Sequence, residues 1–370
     1  MTAPSLDGTM LSGTNIKIIS KHEYRKLLSK CLPEESFKTD TLHMVHYLFS
    51  FLILLVGIYT ILHTEIFIVK LIVSVVMGIS LASLTFILHD LMHGSILKSR
   101  KLMYLVGLTI GIFNMFPPLF WQRVHNLHHA RTGDVDDPDR CYIKEETPKT
   151  LVERVTYRFR VSKDSFIPLV SLILISTGFF WYFMGTMSGV YNKDFDRSGR
   201  KKYSRIHGLF KGSATLIILM ELVLIFSFQA FLFFAVAKNF SNYFFISLLP
   251  IGIAHFVAMT YIHTNHFLSP LTGEIDDPLL NSLSLKDFRF SDKVFSNFSY
   301  HAEHHIFPAM PSSQYPKVRK LLLQFYPERL QVIPIIEAIK LLFKTPRIYN
   351  DFTHLVDLDG KKFNCLLPKP

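Results

Sequence analysis

Cysteine is nearly absent from this chain. The three present in 370 residues, Cys31, Cys141 and Cys365, are widely spaced and odd in number. That excludes a disulfide framework and leaves no paired spacing for a cysteine zinc knuckle. Acidic residues are scarce as well: 29 Asp and Glu stand against 40 Lys and Arg, for a formal net charge of +11. A basic excess of this size needs an anionic counterpart. No helix-turn-helix pattern and no basic, aromatic-interleaved RNA module is present, so nucleic acid is set aside. Anionic lipid headgroups become the natural partner once membrane spans are found. The chain also lacks a fixed-period repeat and a low-complexity tract. Residues 1–41 mix Lys17, Lys21, Glu23, Arg25 and Lys26 with polar residues and show no apolar core with a small-residue cleavage site. No secretory signal is expected there, and this N-terminal segment is expected to stay cytosolic.

Long apolar runs, by contrast, are plentiful. Hydrophobic residues make up 49% of the chain and 34 are phenylalanine, more apolar than an ordinary soluble domain. Residues 42–62 carry no acidic or basic side chain, and residues 66–88 carry only Lys70. Each run is long enough to cross about 30 Å of hydrocarbon, and His63-Thr64-Glu65 makes a minimal turn between them. A second pair, residues 213–237 and 243–262, is joined by residues 238–242. Two hairpins with tiny outer loops are predicted.

Two further apolar runs are read as interfacial. Residues 102–121 include Gly107, Gly111, Pro117 and Pro118, which interrupt a regular helix. Residues 166–189 have basic segments on both sides, from Lys144 to Arg160 and from Lys193 to Arg205. If positive charge marks the cytoplasmic side, that run begins and ends on the same face. The expected fold is therefore an all-α integral membrane protein with four transmembrane helices in two hairpins, interfacial helices and a cytosolic helical cap. Under this topology residues 1–41, 89–212 and 263–370 share the cytosolic face, with both termini there. Residues 42–325 form the membrane domain and 326–370 a C-terminal tail.

Chemistry concentrates in histidine. Eight of the 17 histidines fall into three tight groups: His89 and His93 in HDLMH; His125, His128 and His129 in HNLHH; His301, His304 and His305 in HAEHH. On a helix, positions i, i+3 and i+4 share a face, so each group can aim its imidazoles at one point. Composition alone predicts one His-x-x-His-His only ~0.04 times per chain, so two of them are a strong signal. One ion takes four to six ligands, and eight imidazoles exceed that, which points to two metals. Imidazole suits zinc, copper, iron and nickel, so ligand type does not name the metal. The Glu-x-x-His pairs of carboxylate-bridged di-iron bundles are missing. Glu303 lies within a box but off its histidine face.

The three boxes in this order, with membrane hairpins before the first and between the second and third, resemble the membrane fatty acid desaturase superfamily, which includes alkane hydroxylases and carotenoid-modifying oxygenases. The resemblance covers residues 42–325 and extends to residues 134–139 (DVDDPD) and 305–311 (HIFPAMP), which are similar to acyl desaturase sequences. It implies a pair of irons cycling between Fe2+ and Fe3+, O2 as co-substrate, a lipid or fatty acyl substrate, and a separate electron donor such as ferredoxin or cytochrome b5. It also implies a further ligand near the end of the last span, where His266, with His263 close by, is the candidate. Front-end desaturases carry Gln at the first position of the third box and often a fused cytochrome. His301 stands here instead, which argues against that branch.

Asp90, Asn126, Asp137 and Asn265 are candidate partners for the second N–H of ligating imidazoles. Trp121 and Gln122, just before the second box, are candidate substrate contacts, although tryptophan at a membrane boundary also serves as an anchor. Glu221 lies about two turns inside the third span, where charge is expensive and often functional. The other histidines lack spacing partners and are read as structural. A hydroxylase or ketolase on the same scaffold remains the alternative to a desaturase. A zinc hydrolase, needing about three histidines and an open position for water, is the distant one.

Overall fold

In a computed structural model of the chain, the described residues are 9–134, 137, 147–167 and 212–368. Among them the fold is mostly helical with little strand. After a short helix α1 (Lys21–Leu28), the chain enters α2 (His43–Leu62) and α3 (Phe67–Met92). Along α2 the buried residues are Ser50, Leu54, Gly57 and Ile61, spaced 4, 3 and 4, so one stripe faces the protein. Leu48, Leu52, Leu55 and Tyr59 on the other side are exposed, as lipid-facing residues of a span must be. The stripe packs on α3, and a Cβ added at Gly57 would lie 2.5 Å from the Met77 sulfur.

α3 is the central helix, packed against α2, α8 (Phe240–His266) and α4 (Arg100–Asn114). Its 26 residues span about 39 Å at ~1.5 Å per residue, which exceeds the hydrocarbon thickness. The helix runs four residues beyond the predicted end at 88, so His89 rides its last turn and His93 caps it. α8 likewise begins and ends outside the predicted 243–262, and His266 is its last residue. Lys70, buried near the opposite end of α3, donates to Glu65 Oε2 at 3.3 Å and Asn242 Oδ1 at 2.9 Å. Its charge is therefore met by Glu65 in the link between α2 and α3 and by Asn242 in the first turn of α8.

Among the described residues, four helices are long and apolar enough to cross a membrane: α2, α3, α7 (Ser213–Ala237) and α8. The predicted single interfacial run 102–121 is corrected to two helices, α4 and α5 (Pro118–Arg131), bent by 102°. Met115 takes the left-handed conformation at φ 57°, and Pro118, with no N–H, opens the new helix. The bend folds tightly back on Gly111, where an added Cβ would meet the Phe116 carbonyl oxygen at 2.6 Å. The predicted run 166–189 falls, beyond residue 167, outside the described residues, as does the basic stretch 193–211.

After α6 (Leu151–Arg158) and the two later spans, a cap is built from α9 (Pro278–Asn281), α10 (Arg289–Val294), α11 (His301–Ile306), α12 (Tyr315–Phe325) and α13 (Ile335–Lys344). Short strands tie it together. Ser284–Lys286 (β1) pairs in parallel with Val332–Pro334 (β2), and Ile348–Tyr349 (β3), His354–Val356 (β4) and Lys362–Asn364 (β5) form an antiparallel sheet. Strands of two or three residues are too short to show a period in sequence. Residues 326–368 join this body: α13 packs on α8, and the Leu366 N–H donates to the Leu268 carbonyl at 2.8 Å. On the N-terminal side, Tyr24 and Leu28 of α1 are buried with Ala302, Ile306 and Leu322 in a second apolar cluster beneath α11.

α3 and α8 approach closely at Gly78 on α3, where an added Cβ would be 2.6 Å from Ile253 Cβ on α8. Gly78→Leu should destabilise the purified protein by about 1–3 kcal/mol through overpacking. Gly252→Ala, whose Cβ meets nothing within 4 Å, should leave the thermal midpoint equal or slightly higher. Equal midpoints for wild type and Gly78→Leu would show that the two spans are not in this contact.

Candidate metal centre

Four helices deliver imidazoles to one place. α3 brings His89 and His93, α5 brings His125, His128 and His129, α8 brings His266, and α11 brings His301, His304 and His305. The local sequence explains the presentation. On α5 the three histidines are buried while Asn126 and Ala130 are exposed, as i, i+3, i+4 spacing requires. α11 is buried at all six positions. Its Glu303 points away from the imidazoles, accepting from Arg319 Nε and Ser284 Oγ, each at 2.5 Å.

The rings form two sets, His89, His93, His125, His129 and His304 in one and His128, His266, His301 and His305 in the other. Within each set the nitrogens facing inward lie within 4.8 Å of one another, so each set can hold a metal ion. The sets abut, since His128 and His129 are chain neighbours and the His129 and His305 ring centroids are 4.4 Å apart. Nε2 faces Nε2 throughout: His125–His129 at 3.0 Å, His129–His304 at 3.0 Å, His266–His301 at 2.7 Å, His301–His305 at 3.1 Å and His128–His305 at 3.4 Å. Two nitrogens bound ~2.1 Å from one ion sit ~3.0 Å apart at a right angle and ~3.4 Å apart at the tetrahedral angle.

The outer nitrogens fix the tautomers. His128 Nδ1 donates to Asp137 at 2.8 Å, His89 Nδ1 to Asp90 at 3.0 Å, and His266 Nδ1 to the Asn281 carbonyl at 3.0 Å. The Thr132 hydroxyl spends its proton on the His128 carbonyl at 2.7 Å, so it accepts from His305 Nδ1 at 3.3 Å. His304 Nδ1 pairs with Tyr315 Oη at 2.9 Å. Rings protonated on Nδ1 present bare lone pairs at Nε2. His128 and His305, both bare at Nε2, therefore cannot satisfy one another by hydrogen bonding. His93 Nε2 is buried with no hydrogen-bond partner. A cation between the rings resolves both problems, and the residues fit a metal pair. Burial first, then the neighbouring imidazoles, push His301, His304 and His305 well below the ordinary imidazole range. These three rings are held neutral, as ligands must be.

Not every predicted residue joins them. His263 is buried on α8 but belongs to neither set, and it lies in the field of Arg347 and Arg160. Asn126 is on the exposed face of α5, and the buried Asn265 side chain makes no hydrogen bond to an imidazole. Trp121 stacks on His125 at 4.6 Å between centroids. Gln122 instead donates to the Met92 carbonyl at 3.1 Å, fastening α5 to the end of α3. Sequence reasoning missed Thr132, Tyr315 and the Asn281 carbonyl. Thr132 follows His128 by four residues, on the same helix face, and is legible; the other two arrive from the start of α12 and the end of α9, distant in sequence and without a spacing signal. Glu221, buried on α7, accepts from the Leu119 N–H at 3.2 Å and so caps the first turn of α5.

A family model for fatty acid desaturases matches residues 66–335. A fatty acid desaturase of Bacillus subtilis (strain 168) is 21% identical over 254 residues, covering 66% of each chain. A Delta(12) fatty acid desaturase of Calendula officinalis is 23% identical over 238 residues, covering 60% of this chain and 59% of the other. The chain thus spans less than two thirds of the length of these curated relatives. With the family model covering well over half of the residues, the chain belongs to the fatty acid desaturase family.

Proposed function

We propose that the protein is a membrane desaturase that introduces a double bond into a lipid acyl chain at a pair of histidine-held irons. The observation that carries this reading is the convergence of nine imidazoles, seven of them buried and two half-buried, in two abutting sets with Nε2 facing Nε2 in several pairs. His89, His93, His125, His129 and His304 would hold one iron, and His128, His266, His301 and His305 the other. When bound, the irons supply the reductive activation of O2 and the oxidising power that an unactivated C–H bond demands. The balance is one O2, two electrons and two protons consumed, two hydrogens removed from adjacent methylenes, and two waters formed. No side chain here is a base strong enough to take a proton from a methylene, so the protein's work is positional. Asp90, Asp137, Thr132 and the Asn281 carbonyl keep the rings in the ligating tautomer. The buried setting excludes water from the reacting atoms. Trp121, beside His125, is proposed to touch the acyl chain.

Electrons would come from a separate carrier, a ferredoxin or a cytochrome b5. The basic residues flanking the boxes in the sequence support a cytosolic site, by the positive-inside bias.

Expression in a host with a simple fatty-acid profile should yield a new unsaturated species, and His305→Ala should abolish it. A hydroxylated product would transfer the protein to the hydroxylase branch of the chemistry, and identical lipid profiles for the two forms would refute the desaturase reading for those substrates. Metal analysis should give two irons per chain, with about one lost in His266→Ala and none in His263→Ala; the reverse pattern would move the ligand by one helical turn. Asp137→Asn offers His128 Nδ1 an amide that can donate, permitting the wrong tautomer. Iron affinity at that site should fall about 10–100-fold, and unchanged affinity in a chelator competition would remove Asp137 from this role.

A further inference from the structure

α1 lies outside the residues matched by the family model, yet it touches both helices that carry the two His-x-x-His-His boxes. Lys21 Nζ donates to the His129 carbonyl at 2.7 Å, in the last turn of α5. One turn further along α1, Arg25 Nε donates to the carbonyl of Ile306, the last residue of α11, at 2.5 Å. These carbonyls belong to helix ends that have no intrahelical partner. The spacing i, i+4 puts both cations on one face of α1.

α1 itself is firmly docked. It begins with a capping box between Ser20 and Glu23. The Lys21 ammonium also pairs with Asp276 at 2.6 Å. Tyr24 Oη donates to Asp277 Oδ1 at 3.1 Å, the Ile19 N–H to Asp277 Oδ2 at 2.7 Å, and Arg329 bridges the Lys17 carbonyl and Asp277. The helix is thus a rigid bar anchored in the loop that follows α8.

What the bar spans matters because each metal set mixes the two helices. His125 and His129 of α5 meet His304 of α11 in one set, while His128 of α5 meets His301 and His305 of α11 in the other. The separation of α5 and α11 therefore sets the nitrogen geometry of both sites at once. We propose that Lys21 and Arg25 are positioning residues for the metal pair, holding the C-terminal ends of the two box helices at a fixed separation through α1. This rests on the di-iron reading above. An electrostatic role has the opposite sign, since a cation at a helix C-terminus opposes a bound metal cation nearby, and its removal would tighten binding.

The test uses the full-length, iron-loaded protein in detergent or nanodiscs, comparing wild type with Lys21→Met, Arg25→Met, the double variant, and the conservative Lys21→Arg. Three quantities are read: iron affinity against a chelator, the Mössbauer quadrupole splittings of the two irons, and deuterium uptake at residues 128–132 and 304–308 in the metal-free protein. The double variant should bind roughly tenfold more weakly, show altered splittings at both irons and exchange faster in both segments. The single methionine variants should affect mainly the helix each one touches, and Lys21→Arg should restore the wild-type spectrum. Wild-type affinity and splittings in the double variant, or tighter binding, would overturn the proposal. If the double variant does not fold, the two single variants decide on the same readings. A wild-type protein that fails to take up two metals would instead sink the di-iron reading.

Discussion

Nine imidazoles converge on one centre, and four of them are held with bare Nε2 lone pairs turned inward, an arrangement that calls for something positive between them. That single constraint organises the molecule. Each ring must reach the centre from an element rigid enough to hold it against the repulsion of its neighbours, and the outer nitrogens of His89, His128, His266 and His305 have acceptors that keep the inner ones bare. The acceptors are diverse: the carboxylates of Asp90 and Asp137, the Thr132 hydroxyl and the Asn281 carbonyl. Their variety shows that the tautomer is what matters to the fold, and the identity of the acceptor is secondary.

The long helices make sense on the same terms. A span of twenty residues would have crossed the hydrocarbon, yet α3 and α8 have 26 and 27. The surplus turns stand beyond the apolar core and carry His89 and His266. α5 is held at both ends by groups from opposite parts of the chain. Glu221, from a membrane span, satisfies its first turn, and Lys21, from the N-terminal segment, its last. A helix fastened at both ends can carry three ligands divided between two metal sets without drifting.

Much of this was legible in the sequence, and the unreadable part has a common cause. Apolar runs and box spacing reveal the four long helices and eight of the nine converging rings, because both signals are periodic and local. The helices α3 and α8 extend past the apolar runs at 66–88 and 243–262, because hydropathy marks the first polar residue whereas a helix continues while its backbone bonds are met. His266 came into view only through family resemblance, and its rival His263 is one turn away, a difference that spacing cannot resolve. The bend between α4 and α5 was foreshadowed by Pro117 and Pro118, but its 102° depends on Gly111 receiving the Phe116 carbonyl. Tyr315, Lys21, Arg25 and the Asn281 carbonyl are joined to the centre by tertiary packing alone, with no sequence period to announce them.

The charge of the site raises a last point. Glu303, the acid within the third box, is turned outward to Arg319 and Ser284, so the inward-facing sets consist of neutral nitrogen. Two metal cations would then need compensation from further out. Asp90 and Asp137 supply part of it through the imidazoles they orient. The helices supply more, because His89, His128, His129, His304 and His305 lie in the last turns of α3, α5 and α11, and His266 ends α8. Four helices thus turn their negative ends toward one spot, each equivalent to roughly half an elementary charge. Lys21 and Arg25 sit at two of those ends and weaken that field. Cations placed against the electrostatic interest of the centre they adjoin are best understood by what they hold in place.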